Sequence, residues 1–144
     1  MKHESVEIIS TYNAEHYTWG DRCSGWYYLN SENIAIIREC MPPATKETLH
    51  YHRKSHQFFY ILSGVATFEI DGMMYNLEDG EGVLINPGIK HRIINNTNSD
   101  LKFLVISEPP SHGDRVNPHN PDEIKSKPIK MPIRFLSAKK NKGK

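Results

Sequence analysis

Cysteine is scarce in this chain and long apolar runs are missing, and each shortage removes a class of protein. The two cysteines, Cys23 and Cys40, belong to no CxxC pair, so neither a redox motif nor a zinc clamp is legible in them. They read as free thiols of a reducing compartment, either of which can line a cavity. Only 38% of the residues are hydrophobic, and no apolar stretch approaches the roughly 20 residues that span a bilayer. No apolar segment follows Met1-Lys2-His3-Glu4-Ser5, so no signal peptide is read and the chain is expected to be cytoplasmic, with no membrane partner. In that setting Asn95-Asn96-Thr97, formally a glycosylation sequon, is only a turn. Helical periodicity is almost absent as well.

Negative charge is missing from the C-terminal end. All 17 acidic residues lie before residue 125, whereas of the 18 Lys and Arg ten lie in residues 1–124 and eight in 125–144. The body is therefore net −7 and the end +8. An acidic body argues against nucleic acid as a partner, and the basic end reads as a solvated, solubilising tail.

What is present is a series of short strands. The 144 residues suffice for one domain with a core and not for two. Val6 and Ile8 begin an apolar alternation, a strand or short helix, followed by the aromatics Tyr12, Tyr17 and Trp19 and a loop at Gly20-Asp21. Ser24–Leu29 reads as a strand, with Trp26 and Tyr28 on one face. Trp19, Trp26 and Tyr28 are expected to pack, with shaping of a cavity mouth as the alternative. Ile34–Met41 is a strand that Pro42-Pro43 ends, since proline cannot donate to a ladder. Strands are then expected over Thr45–His52, Gln57–Leu62, Val65–Ile70, Met73–Leu77, Gly82–Ile85, His91–Ile94 and Leu101–Ser107. Asp71-Gly72 is a two-residue hairpin signal, and Glu78-Asp79-Gly80, Pro87-Gly88 and Asn96-Thr97-Asn98-Ser99 mark further turns. Short strands at this spacing make a β-sandwich or barrel. Phe58, Phe59, Tyr60, Phe68 and Phe103 are assigned to its core.

The chemistry concentrates in His50-Tyr51-His52. Histidines at i and i+2 on a strand project to one face, and a pair of imidazoles aimed into one space with a further polar group nearby can grip a first-row metal. His91, after the Asn86-Pro87-Gly88 turn, has the setting to complete such a site. Three imidazoles converging without a metal would be poorly satisfied and would repel once protonated. His56 is a rival ligand by strand parity, but a loop between the strands breaks that parity, and His56 is expected at the surface. His112, Asp114 and Arg115 form a polar cluster on a loop opened by Pro109-Pro110, either a lid or only a crossing.

Together these stretches resemble the cupin superfamily. The first cupin motif, G(x)5HxH(x)3–4E(x)6G, is met by His50, His52, Gln57 and Gly64. The second, G(x)5PxG(x)2H(x)3N, is met by Gly80, Gly88, His91 and Asn95. Three positions depart: Ala44 stands at the first glycine, Gln57 at the glutamate ligand, and Asn86 at the proline, with Pro87 following. The resemblance implies an all-β fold, a single-domain cupin-type jelly roll (double-stranded β-helix barrel). Residues 1–33 would pack N-terminal strands and an aromatic loop on the barrel, and 34–108 would form it. Residues 109–138, including Ile129, Met131, Ile133, Phe135 and Leu136, would make a loop and strap, and 139–144 a disordered basic tail.

The resemblance further implies one divalent transition-metal ion (Zn, Ni, Mn or Fe) held by His50, His52, Gln57 and His91, and a homodimer formed by exchange of an edge strand. Four neutral ligands leave the ion its full charge, which suits Lewis-acid work on a small oxygenated molecule such as a keto sugar or uronate, of isomerase or lyase type. Small cupins that open unsaturated uronates are similar in using this ligand set. An Fe(II)-dependent dioxygenase and a non-catalytic binder of a sugar or other small-molecule ligand are the other functions such a cupin can have. No general acid or base is named by the sequence.

Overall fold

A computed structural model describes residues 5–118, all of them in strands, turns and loops. The strap residues 129–136 and the tail 139–144 lie outside the described residues, as does the dividing line between them.

The strands are β1 (Glu15–Trp19), β2 (Cys23–Asn30), β3 (Ala35–Met41), β4 (Thr45–Lys46), β5 (Tyr51–His52) and β6 (His56–Ser63). They continue as β7 (Ala66–Ile70), β8 (Met73–Leu77), β9 (Gly82–Ile85), β10 (His91–Asn95), β11 (Leu101–Glu108) and β12 (Arg115–Val116). They assemble into a six-stranded sheet β1-β2-β3-β11-β6-β9, a four-stranded sheet β4-β10-β7-β8 and a small β12-β5 pair, with every pairing antiparallel. The jelly roll is therefore present as the motifs imply. Among the described residues no helix is long and apolar enough to cross a membrane.

The alternation of each strand decides what is buried. On β11, Leu101, Phe103, Val105 and Ser107 turn inward, and on β6 the inward positions are Gln57, Phe59 and Ile61. Phe59 meets Phe68 edge-on with ring centroids 5.1 Å apart, and Phe103 lies 6.1 Å away on its other side. Fully burying each such ring contributes about 1.5–3 kcal/mol, and this aromatic cluster is the floor on which the histidines rest, His91 lying 6.2 Å from Phe59.

Four expectations need correction. Phe58 and Tyr60 have the opposite parity to Phe59, so they face outward, and Tyr60 is 37% exposed. The segment Thr45–His52 is not one strand but two, β4 and β5, belonging to different sheets. Val6 and Ile8 form no strand or helix and are exposed. The loop after Glu108 ends in β12, which pairs Arg115 with His52 and Val116 with Tyr51.

Gly64 shows why its motif position is glycine. Its φ is +98°, and a Cβ there would sit 2.9 Å from the Asp100 carbonyl oxygen.

Candidate functional site

The break between β4 and β5 positions the first histidine. His50 sits in it as a lone antiparallel bridge to His91, its N–H donating to the His91 carbonyl (3.1 Å) and the His91 N–H donating back (2.8 Å). That bridge sets the two imidazoles side by side, ring centroids 4.5 Å apart. His52, two residues on, shares the face of His50, as the i, i+2 spacing predicts, at 5.0 Å edge-on and 5.9 Å from His91. All three rings are buried, and one nitrogen of each lies within 4.8 Å of the others. Gln57, on β6 opposite Ser107 of β11, brings its amide oxygen to 3.2 Å from His91 Nε2 while its NH2 donates to Ser107 Oγ (3.1 Å). Exposed His56 stays out of the cluster, as expected.

The hydrogen bonds select the tautomers. A carbonyl oxygen only accepts, so His50 Nδ1–H donates to Thr48 O (2.7 Å) and His91 Nδ1–H donates to Ile89 O (2.8 Å). Each ring has then spent its proton and turns a bare Nε2 inward. His52 Nδ1 is buried with no hydrogen-bond partner among the described residues. Burial holds all three imidazoles neutral: His50 lies far below the usual range, His91 is pushed down to about 4, and His52 is lowered too. A bare His91 nitrogen thus faces the Gln57 oxygen, acceptor against acceptor at 3.2 Å. A cation in front of both relieves that opposition, and neutral imidazole is the ligating form. The donor set fits a divalent transition metal.

The cluster opens on a cavity of about 270 Å³. Its walls also carry groups to which the sequence reading gave no role in a site: Glu39 on β3, Glu47 between β4 and β5, and Tyr17 and Tyr27 on β1 and β2. Burial pushes Glu39 up to about 7, the Tyr17 phenol and Arg115 opposing it. Glu47 is pushed up to about 8, by burial first and then by the charge of Glu39. Glu47 accepts the Ile93 N–H (3.3 Å) and lies 3.8 Å from Arg115 Nη1 and 3.9 Å from His50 Nε2. A signal for Glu39 existed, because it shares strand parity with Ala35, Ile37 and Met41, an otherwise apolar inward face.

Of the flagged loop, His112 and Arg115 line the cavity mouth. Asp114 instead fastens the loop, its carboxylate accepting the backbone N–H of Arg53 (3.2 Å), Lys54 (3.0 Å) and Ser55 (2.9 Å). Trp19 lines the cavity as well as packing on the core, Trp26 stacks on His16 at 5.1 Å, and Tyr28 is half-buried. Cys23 is buried in the core, Cys40 is half-buried, and both are free thiols.

Residues 37–107 match the family described as Cupin domain. An uncharacterized protein of Methanocaldococcus jannaschii is 36% identical over 81 residues, which are 56% of this chain and 65% of that one. The Oxalate-binding protein of Thermotoga maritima is 32% identical over 71 residues, 49% of this chain and 59% of its own length. The match thus spans less than two thirds of either relative. Among solved structures, the polyketide cyclase RemF of Streptomyces resistomycificus superposes with a TM-score of 0.68 at 14% identity, covering 86% of this chain and 95% of that one.

Proposed function

This chain belongs to the cupin superfamily through residues 37–107, and from that premise we propose that it binds one divalent transition-metal ion through His50, His52, His91 and Gln57 and acts on a small oxygenated molecule bearing a carbonyl. The observation that carries the reading is the convergence of three buried imidazoles, one nitrogen of each within 4.8 Å of the others, with His91 Nε2 facing Gln57 Oε1 at 3.2 Å. When bound, an ion with four neutral ligands would keep its full charge and polarise a carbonyl oxygen.

The chain supplies the rest. Trp19, Phe59 and Val105 give the cavity apolar walls that exclude water, and Arg115 offers a cation at the mouth. Glu39 and Glu47, both pushed toward neutrality, can take or return a proton at physiological pH. This is the equipment of isomerisation, cyclisation or lyase chemistry. One of the relatives is named for binding oxalate, a small oxygenated molecule.

The test is metal content in protein purified without an affinity tag, for the wild type and His91→Ala. Stoichiometric metal is expected in the wild type and its loss in the variant, with the circular dichroism of the barrel retained. Zn, Ni or Mn agrees with Lewis-acid work, whereas Fe would redirect the reading toward oxygen chemistry. Full occupancy and affinity in His91→Ala would show the ligand set to be wrong.

A further inference from the structure

We infer that Glu39 is the proton-transfer residue of this cavity and that Tyr17 positions it across a window left by Gly25, an inference that rests on the carbonyl reading above. The three residues lie in register on adjacent strands: Tyr17 of β1 opposite Gly25 of β2, and Gly25 opposite Glu39 of β3. A side chain on β1 ordinarily reaches only its neighbour on β2. Here the Tyr17 ring passes over Gly25, where a Cβ would overlap the ring, and its hydroxyl donates to Glu39 Oε2 at 2.7 Å. Glycine weakens a strand interior, and the close approach of another group is a recognised reason for one to sit there.

The device distinguishes Glu39 from the other carboxyl. Glu47 is engaged by the Ile93 N–H, Arg115 and His50. Glu39 has one oxygen held by Tyr17, and no other hydrogen bond to its carboxyl is found among the described residues. It faces the cavity that His50 and His52 also line. Tyr17 and Tyr27, Glu47, His50, His52, His112 and Arg115 are the titratable and charged groups that share this cavity with it. Burial raises Glu39 to about 7, suiting a group that must both take and return a proton.

The substrate class that follows is a 2-hydroxy carbonyl compound. The Glu39 carboxylate takes the proton from the hydroxyl-bearing carbon: that C–H bond breaks, an O–H bond forms on Glu39, and the electron pair moves to the carbonyl oxygen. Returning the proton to the neighbouring carbon, while the hydroxyl proton shifts between the two oxygens, gives the isomeric carbonyl compound and restores Glu39. No oxidant or reductant is consumed.

Dihydroxyacetone in D2O serves as the probe, with loss of its C–H signal followed by proton NMR. The protein loaded with Zn or Mn is expected to exchange faster than the metal-free protein, and Glu39→Gln to fall by about 100-fold or more with metal content unchanged. Tyr17→Phe and Gly25→Ala, which remove or displace the phenol, should retain exchange but move its pH midpoint upward, because a donor to the carboxylate has been lost. Independently of turnover, the carbon-13 shift of the Glu39 carboxyl in metal-free protein, assigned by its absence in Glu39→Gln, should titrate near neutrality and higher in Tyr17→Phe.

Glu39→Gln exchanging at the wild-type rate with metal bound would overturn the role of Glu39 and leave the metal reading standing. Loaded wild type exchanging no faster than metal-free protein would overturn the carbonyl reading and this inference with it. Should Glu39→Gln not fold, an unchanged pH profile in Tyr17→Phe overturns the positioning.

Discussion

At Gln57 a single atom separates the chain from the glutamate of the motif, and the consequence is electrostatic. The amide oxygen presents lone pairs to the cluster but no charge, while its NH2 is spent on Ser107. A carboxylate there would accept from the Ser107 hydroxyl instead and bring a negative charge to the metal. Gln57→Glu is expected to raise metal affinity roughly tenfold or more, measured by competition with a chelator, and to lower turnover, since the anion offsets part of the ion's field. Gln57→Ala should weaken binding modestly because three histidines remain. Identical affinity in all three proteins would remove Gln57 from the ligand set. Ala44 is the motif departure with a backbone cost. Its φ is +62°, in the left-handed region that L-residues resist, and it is exposed, so its methyl packs on little. Ala44→Gly should stabilise the protein by roughly 0.5–1 kcal/mol, the relief of strain being partly offset by the freer unfolded chain. A higher melting temperature in a thermal scan checks it. The motif spacing exposed Ala44 as an anomaly but carried no dihedral angle, so its meaning was not legible.

Among the elements, those that follow strict alternation were legible and those set by side-chain capture were not. Met73–Leu77 and Gly82–Ile85 stand where the apolar pattern and turns put them. The run Thr45–His52 looks continuous, yet the Thr48 carbonyl is taken by His50 Nδ1 and by Arg115 Nη2 (3.2 Å), leaving the ladder interrupted there. That break lets His50 bridge to His91 while His52 joins β12. The cost of reading a strand was small because i, i+2 parity survives the break. The β12 pairing was invisible for the same reason: its determinant is Asp114, which grips three backbone N–H groups about sixty residues earlier in the chain. Burial would raise the Asp114 carboxyl, but those N–H groups outweigh it and hold it below the ordinary aspartate range. A depressed carboxyl contributes stability above its unfolded pKa and loses it as pH falls through the folded one. The loop should therefore remain fastened at pH 5 and release below about pH 4. Asp114→Ala should release it at every pH, seen as faster hydrogen exchange at the Arg53, Lys54 and Ser55 amides with little change in the core. Unchanged protection of those amides would mean that the loop is held by other contacts.

For the molecule as a whole, the buried titratable groups of one cavity pull stability in opposite directions. The three histidines have folded pKa values below the ordinary 6.5, so their contribution is complete above that pH and is lost on acidification. Glu39 and Glu47 have folded values raised to about 7 and about 8, so their contribution is complete below the ordinary glutamate range and is lost as pH rises through those values. Between about pH 4.5 and 6.5 the two sets oppose each other; above 6.5 the histidines are silent and only the carboxyls titrate. Metal-free protein should consequently be most stable near pH 6.5 and lose about 1–3 kcal/mol by pH 9, at up to about 1.4 kcal/mol per pH unit per group. Urea unfolding of chelator-treated protein across this range measures it. The double variant Glu39→Gln, Glu47→Gln removes the titrating carboxyls and should flatten the alkaline limb while steepening the acid limb, where nothing then opposes the histidines. An alkaline limb that persists in the double variant would place the loss outside this cavity and detach the two carboxyls from the energetics of the site.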